Sequence, residues 1–186
     1  MFRKLLLLFG ILLLICGCSK ESIDYDQPVG EKADMSSYDV QSDCFYTLDY
    51  DGFFDLVESE KTTIVYIGYS SCPWCRELVP CMDEYYTAES IGIYYLDIFS
   101  SENEPELKRL GEIAELCKDF IEKDEKGEPL LREPSLVYLQ KGKVINVHTG
   151  TVNTHDATVR TMTEKEKARL MYNLEKEYEE LMGYGK

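Results

Sequence analysis

Two cysteines separated by two residues follow directly after a short apolar stretch, and this arrangement constrains the fold more than any other feature of the chain. Residues 62–69 are rich in β-branched and aromatic side chains, which predicts a buried strand. Cys72 and Cys75 come next, and apolar residues then recur at helical spacing. The pattern predicts a helix that begins at the first cysteine. Two thiols in this position are suited to exchanging a disulfide with another molecule.

The same patterns predict four further strands and three further helices. The strands are expected at 45–48, 91–98, 135–140 and 143–148. The helices are expected at 53–58, from Pro105 with an apolar face that includes Phe120, and from Thr163, where Glu166 has capping-box spacing. The order β-α-β-α-β-α-β-β-α predicts an α/β fold, with a central mixed β-sheet flanked by helices on both faces.

The N-terminus has the pattern of an export signal. Two positive residues precede an apolar run over 5–15, which is too short for a membrane span of about 20 residues. The run ends in Ile15-Cys16-Gly17-Cys18, which resembles a bacterial lipobox with Cys18 as the lipidated residue. An ordinary cleaved signal and an uncleaved anchor are the alternatives. A lipid anchor would hold the protein on the outer side of the bacterial cell membrane, in an oxidising space.

Composition divides the rest of the chain and excludes one class of partner. We expect a lipoprotein signal peptide at 1–17, a lipidated cysteine with a flexible polar tether at 18–43, and a folded domain at 44–184. The chain has 20 Lys and Arg against 35 Asp and Glu, a formal net charge of −15. Binding to nucleic acid requires clustered positive charge, so nucleic acid is not an expected partner.

Five cysteines remain after Cys16 is removed with the signal and Cys18 is lipidated, and the number is odd. A zinc site is not indicated for Cys72 and Cys75, because the chain has no second Cys-x-x-Cys and no paired histidines. An inert bridge between the two is the other alternative. Cys117 lies on an apolar stripe and is expected in the core, whereas Cys44 and Cys81 can pair or remain free.

Three landmarks together resemble the thioredoxin fold over residues 44–182. The first is Cys72-Pro73-Trp74-Cys75 at a strand-to-helix turn, and the second is Pro80 within the helix that follows. The third is Glu133-Pro134-Ser135 at the start of a β-hairpin, where Pro134 matches the cis-proline of the family. The run Ser-Cys-Pro-x-Cys-Arg bears a weaker resemblance to bacteriocin-transport accessory proteins of Gram-positive bacteria.

Position along the helix and the family resemblance together predict the roles of the site residues. Cys72 at the helix start is expected to be the nucleophile, because a helix N-terminus stabilises a thiolate. Cys75 on the inner face is expected to be the resolving thiol. The resemblance implies that Pro134 and the Glu133 backbone bind an extended substrate segment, with Trp74 adding an aromatic surface. A trans Pro134 and a Trp74 that only packs are the alternatives.

The expected activity is thiol–disulfide exchange on cysteines of exported proteins or peptides. The sulfurs carry the electrons, so no cofactor is expected, but a redox partner protein must reset the pair. The chain is expected to be a monomer, tethered to the membrane by its lipid. Three departures from the family concern the site. Tyr66 stands where many thioredoxins bury an acid, Ser71 replaces the Trp before the first cysteine, and Glu133 replaces an aliphatic residue. A non-catalytic binding module that assists peptide export is the alternative function.

Overall fold

The computed structural model describes residues 23–99 and 104–184, and its elements follow the predicted order. The strands are β1 Phe45–Leu48, β2 Thr63–Gly68, β3 Ile93–Asp97, β4 Ser135–Gln140 and β5 Lys143–Thr149. The helices are α1 Tyr50–Glu58, α2 Pro73–Ala88, α3 Glu104–Leu116 and α4 Glu164–Leu181, and a short 3-10 helix at Ser36–Tyr38 precedes them. The predicted capping box is present at the start of α4, where the side chains of Thr163 and Glu166 each bond the other residue's backbone amide.

The five strands form one mixed sheet in the order β1-β3-β2-β4-β5. Parallel pairing joins β3 to both β1 and β2, which lie on its two sides. The hairpin of β4 and β5 then adds antiparallel strands, because β4 pairs with β2 in the opposite direction. Helices α2 and α4 pack together on one face, and α1 and α3 pack together on the other. The predicted α/β fold class, with a thioredoxin-like mixed sheet between helices, is confirmed.

Each face of the sheet buries its own apolar cluster, because alternate residues of a strand point to opposite faces. Tyr66 and Tyr95 point toward α2 and α4, whereas Val65 and Tyr94 point toward α1 and α3. The two cysteines of the motif belong to the first cluster, so α2 carries them against the core it helps to form.

The hairpin turn of β4 and β5 requires glycine at its second position. Lys141 and Gly142 both have positive φ values, 50° and 72°, as expected for the predicted two-residue turn. A Cβ atom on Gly142 would lie 2.2 Å from the carbonyl oxygen of Val57 at the end of α1. The Gly142 amide also donates to the Lys61 carbonyl at 2.8 Å, so the turn packs closely against the connection between α1 and β2.

The structure corrects the prediction of a flexible tether for residues 23–43. Backbone hydrogen bonds pair Ala33 with Phe45, so this segment lies beside β1 at the edge of the sheet. Met35 and Tyr38 are each only 2 % exposed and belong to the core. Sequence periodicity did not reveal this packing, because the segment contributes isolated anchor residues rather than a regular element. The folded unit therefore begins before residue 44.

Helix α3 is shorter than its apolar pattern predicts. It ends at Leu116, and the backbone then tightens into a turn in which the Phe120 amide donates to the Cys117 carbonyl at 2.9 Å. Phe120 is 43 % exposed, so its assignment to the buried face of the helix was wrong, whereas Cys117 is buried as expected.

The predicted signal peptide and Cys18 lie outside the described residues. No helix within residues 23–99 and 104–184 is both long enough and apolar enough to cross a membrane.

Candidate active site

Cys72 is the N-cap residue of α2, and its sulfur takes the place that a capping side chain usually occupies. The Cys75 amide donates a hydrogen bond to the Cys72 sulfur at 3.3 Å. Pro73 occupies the first helical position, where its missing N–H costs nothing. Cys75 lies one turn inside the helix and is fully buried, whereas Cys72 lies at the end of the helix. Both are free thiols, so the structure shows the pair in its dithiol form.

The surroundings of the two sulfurs drive their pKa values apart. The Cys72 pKa is lowered to about 7, first by the neighbouring Cys75 thiol and then by the backbone amides of Cys75 and Trp74. Burial and the Glu133 carboxylate act in the opposite direction, but they are outweighed. The Cys75 pKa is raised far above its ordinary value by Cys72 and by burial. Cys72 is therefore the thiol that ionises near neutral pH, which is the property expected of an attacking sulfur.

Pro134 and Glu133 lie opposite the dithiol. The peptide bond between them is cis, as the resemblance implied. The Glu133 carbonyl oxygen accepts a long hydrogen bond from the Cys72 thiol at 3.8 Å. Pro134 is buried and the Glu133 side chain is partly buried, so burial raises the pKa of this carboxyl group. The structure thus brings the two halves of the predicted site together from positions about sixty residues apart.

The aromatic surface beside the sulfurs differs from the one predicted. Trp74 is half-buried and packs against the core cluster on its side of the sheet, so only part of its ring faces outward. Tyr69 lies close to Cys72, and its ring is 5.9 Å from that of Phe99, which is 63 % exposed. Sequence analysis did not identify this pair, because Phe99 follows a different strand and only the fold places it next to the motif.

The remaining described cysteines take no part in the dithiol. Cys44, Cys81 and Cys117 are buried thiols without a bridge, so pairing of Cys44 with Cys81 is not observed. Burial raises the pKa of Cys117 to about 12 and that of Cys81 to about 11. Such thiols are poor nucleophiles at neutral pH. Within residues 23–99 and 104–184, no cluster of three or more His, Cys, Asp or Glu side chains is arranged to hold a metal ion.

Tyr38 and Tyr95, which sequence analysis did not connect with the site, lie in the core next to Tyr66. The Tyr38 hydroxyl is 3.2 Å from the Tyr66 hydroxyl and 2.9 Å from the Tyr95 hydroxyl. Arg76, directly after Cys75, fixes the segment that carries Tyr38, since its guanidinium bonds the Ser37 carbonyl at 2.7 Å and the Asp39 carboxylate at 2.6 Å. The sequence carried no signal for this contact, because Tyr38 is one of two tyrosines in an otherwise polar segment.

Comparison with known proteins yields no family for the chain. No family model matches it, and no curated protein matches it. Solved structures that match include one described as "a putative oxidoreductase with a thioredoxin fold". That protein is 14 % identical, with a TM-score of 0.42, and the match covers 57 % of this chain and 83 % of the other. By its own strand order and helix placement, the chain is an α/β protein of thioredoxin-like fold.

Proposed function

We propose that this chain is a membrane-tethered, extracytoplasmic thiol–disulfide oxidoreductase that acts on cysteines of exported proteins or peptides. The observation that carries the proposal is the asymmetry of the dithiol. The Cys72 sulfur accepts a hydrogen bond from the Cys75 amide, and its pKa is about 7. The Cys75 thiol is buried and its pKa is much higher. A pair that only bridged the fold would not need one activated sulfur.

The reaction consists of two thiol–disulfide exchanges that transfer the disulfide from the substrate to Cys72 and Cys75. The Cys72 thiolate attacks one sulfur of a substrate disulfide, a mixed disulfide forms, and the other substrate sulfur leaves as a thiolate that takes up a proton. The Cys75 thiolate then attacks the Cys72 sulfur and releases the second substrate thiol. The substrate gains two electrons and two protons, and the protein ends with a Cys72–Cys75 disulfide. A second thiol protein must reduce this disulfide again, and the whole sequence also runs in reverse.

Substrate binding is proposed at the surface around Pro134. An extended peptide can pair with the backbone at Glu133, which faces the attacking sulfur, as the resemblance implies. Trp74 on one side, together with Tyr69 and Phe99, supplies aromatic contact area for such a peptide.

Reduction of a peptide with one internal disulfide tests the activity. With Cys16→Ala and Cys18→Ala present to remove the N-terminal thiols, the reduced full chain should convert about one disulfide per molecule. The same chain with both Cys72→Ser and Cys75→Ser should convert none. Cys117→Ala is the matched control, because this buried thiol lies on the opposite face of the sheet and should leave conversion unchanged. If wild type and the double variant bind the peptide equally and neither reduces it, the activity is refuted in favour of a non-catalytic module for peptide export.

Membrane tethering through Cys18 is tested by fractionation of cells. Cys18→Ala should leave the precursor unprocessed or release the protein from the membrane. Cys16→Ala should be processed normally, because the lipobox resemblance places the modified sulfur at Cys18. Unchanged processing and membrane retention of Cys18→Ala would refute the anchor without bearing on the redox activity.

A further inference from the structure

Tyr66 lies directly beneath the resolving cysteine. It belongs to β2, six residues before Cys72, and its side chain is completely buried. Both side chains belong to the same buried cluster, and the interaction of the Tyr66 hydroxyl with the Cys75 sulfur lowers the pKa of that thiol. Many thioredoxins bury a carboxyl group at this position, so here a neutral donor stands where an acid is expected.

Two more hydroxyl groups extend the contact into a chain. The Tyr66 hydroxyl is 3.2 Å from that of Tyr38, which in turn is 2.9 Å from that of Tyr95. A phenol has one proton to donate. When Tyr66 donates to Cys75, its oxygen is free to accept from Tyr38, and Tyr38 can accept from Tyr95. The hydrogen bonds then run in one direction, from Tyr95 through Tyr38 and Tyr66 to the Cys75 sulfur, and each bond strengthens the next by polarisation.

Gly68 makes the placement of Tyr66 possible. Residues 66 and 68 are two apart on a strand and therefore face the same side of the sheet. A Cβ atom on Gly68 would lie 2.4 Å from the Tyr66 oxygen and 2.7 Å from the ring carbon that bears it. On the other side, the Tyr95 ring stacks on that of Tyr66, with ring centres 5.1 Å apart and planes at 17°. The phenol is thus held between a glycine and an aromatic ring.

The charge state of Tyr66 suits a donor and not a base. Burial raises its pKa well above the ordinary value, so the hydroxyl keeps its proton at any physiological pH. The Cys75 pKa is raised by Cys72 and by burial, while the Tyr66 hydroxyl and the Tyr69 backbone lower it. Asp97 raises the pKa values of Tyr38 and Tyr95 through space, Glu133 raises that of Cys72, and the Arg76–Asp39 ion pair lies on the segment that carries Tyr38.

We infer that Tyr66 is a positioning residue for the resolving step, because its hydroxyl, supported by Tyr38 and Tyr95, holds the Cys75 thiolate by a hydrogen bond in place of a buried carboxyl group. The inference rests on the proposed function. In the step itself Cys75 gives its proton to the solvent, its sulfur bonds to that of Cys72, and the bond from Cys72 to the substrate breaks. The departing substrate thiolate takes up a proton from the solvent. Tyr66 keeps its own proton throughout.

Reaction of the reduced full chain with Ellman's reagent separates the two steps in one trace when Cys16→Ala and Cys18→Ala are present in every variant to remove the N-terminal thiols. The Cys72 thiolate releases the first coloured thiolate and becomes a mixed disulfide, and Cys75 then releases the second as the protein disulfide closes. Tyr66→Phe removes one hydrogen bond to a charged sulfur. The higher thiol pKa lowers the thiolate fraction, but part of this loss is offset by greater nucleophilicity. We therefore expect the second phase to slow by about three- to tenfold, with the first phase unchanged.

The matched control is Tyr86→Phe. Tyr86 is also a fully buried tyrosine on this side of the sheet, and its hydroxyl pairs with that of Tyr138 at 3.2 Å, in a second pair of buried phenols. It should leave both phases unchanged. Tyr38→Phe keeps the Tyr66 hydroxyl but removes its supporting donor, and it should slow the second phase by a smaller factor. This variant tests the inference even if Tyr66→Phe fails to fold.

The dependence on pH distinguishes positioning from general damage. Burial still raises the Cys75 pKa when Cys72 is in the mixed disulfide. Below that pKa the thiol is mostly protonated, so the deficit of Tyr66→Phe in the second phase should not change with pH there. A variant that slowed both phases together, or neither, would overturn the inference. Absence of any second phase in the wild-type protein would instead refute the proposed dithiol function, so the two failures are distinguishable.

Discussion

The Cys75 amide donates to the Cys72 sulfur over 3.3 Å, while the sulfur of Cys75 itself is directed into the core. Cys75 therefore stabilises the Cys72 thiolate through its backbone amide, while its own thiol stays buried until the second step. The same turn of helix supplies both the donor and the second thiol, so small displacements of α2 would affect both steps of an exchange.

Trapping of partners should depend on which cysteine is removed. Cys75→Ser keeps the attacking thiolate but cannot resolve, so it should accumulate mixed disulfides with substrate proteins. Cys72→Ser should trap few, because the remaining thiol is buried and its pKa is high. Non-reducing gels of whole-cell extracts, followed by reduction, measure the difference. Equal trapping by both variants would contradict the assignment of the two roles.

Ionisation of Cys72 should stabilise the reduced protein, relative to Cys72→Ser, as the pH rises from about 7 to 9. The buried thiols with raised pKa values, Cys44, Cys75, Cys81 and Cys117, act in the opposite direction. The folded-state pKa of Cys72 is about 7 against an ordinary value of 9, so its ionisation favours the folded state above pH 7. The full contribution is about 2–3 kcal/mol, present above pH 9 and lost as the pH falls through 7. Denaturant unfolding with reductant present measures this, and Cys72→Ser should lack this contribution. If the free energy of unfolding changed equally with pH in wild type and Cys72→Ser, the Cys72 pKa would not be lowered.

Glu133 should make the dithiol less oxidising. Its carboxylate lies near the Cys72 thiolate and raises the thiol pKa, which disfavours the reduced form. Glu133→Gln should lower the Cys72 pKa and raise the reduction potential. A fall of about half a pKa unit corresponds to about 15 mV for a two-electron couple. Equilibration with glutathione measures the potential, and an unchanged value would exclude Glu133 as a tuning residue.

Residues before the first strand should contribute to stability. Met35→Ala leaves a cavity in the core and should cost about 2–5 kcal/mol in free energy of unfolding. Val29→Ala removes a side chain that is 78 % exposed, and it should change stability by less than about 0.5 kcal/mol. A neutral effect of Met35→Ala would restore the interpretation of this segment as a tether.

The sequence predicted the structural features that depend on residues close together in the chain. The apolar spacing after Cys75, the turn at Lys141 and Gly142 and the cap at Thr163 are all encoded within a few residues, and each is present in the structure. Contacts between distant segments were not predictable in this way. Nothing near Tyr38 indicates that it meets a tyrosine 57 residues later, because that contact exists only once β3 and the N-terminal segment pack together.

The candidate site was predicted to a similar extent. Spacing and resemblance identified Cys72, Cys75 and Pro134, and the structure places Pro134 beside the dithiol. The unusual residue at position 66 was visible in the sequence as a departure from the thioredoxin pattern that the motif resembles. Its hydrogen-bond partners were not, since they come from two other segments and depend on the space left by Gly68.

Tyr38 also sets a practical limit for laboratory work on this protein. A recombinant fragment trimmed to the first strand would lose Tyr38 together with the Asp39 contact of Arg76, so the interior behind Cys75 would be left open to water. Such a fragment can retain both cysteines and still exchange disulfides at altered rates. Fragments intended for redox titration should therefore keep the segment from Tyr25 onward, because the Tyr25 hydroxyl donates to the Gly92 carbonyl at 2.6 Å and fixes this segment to the sheet.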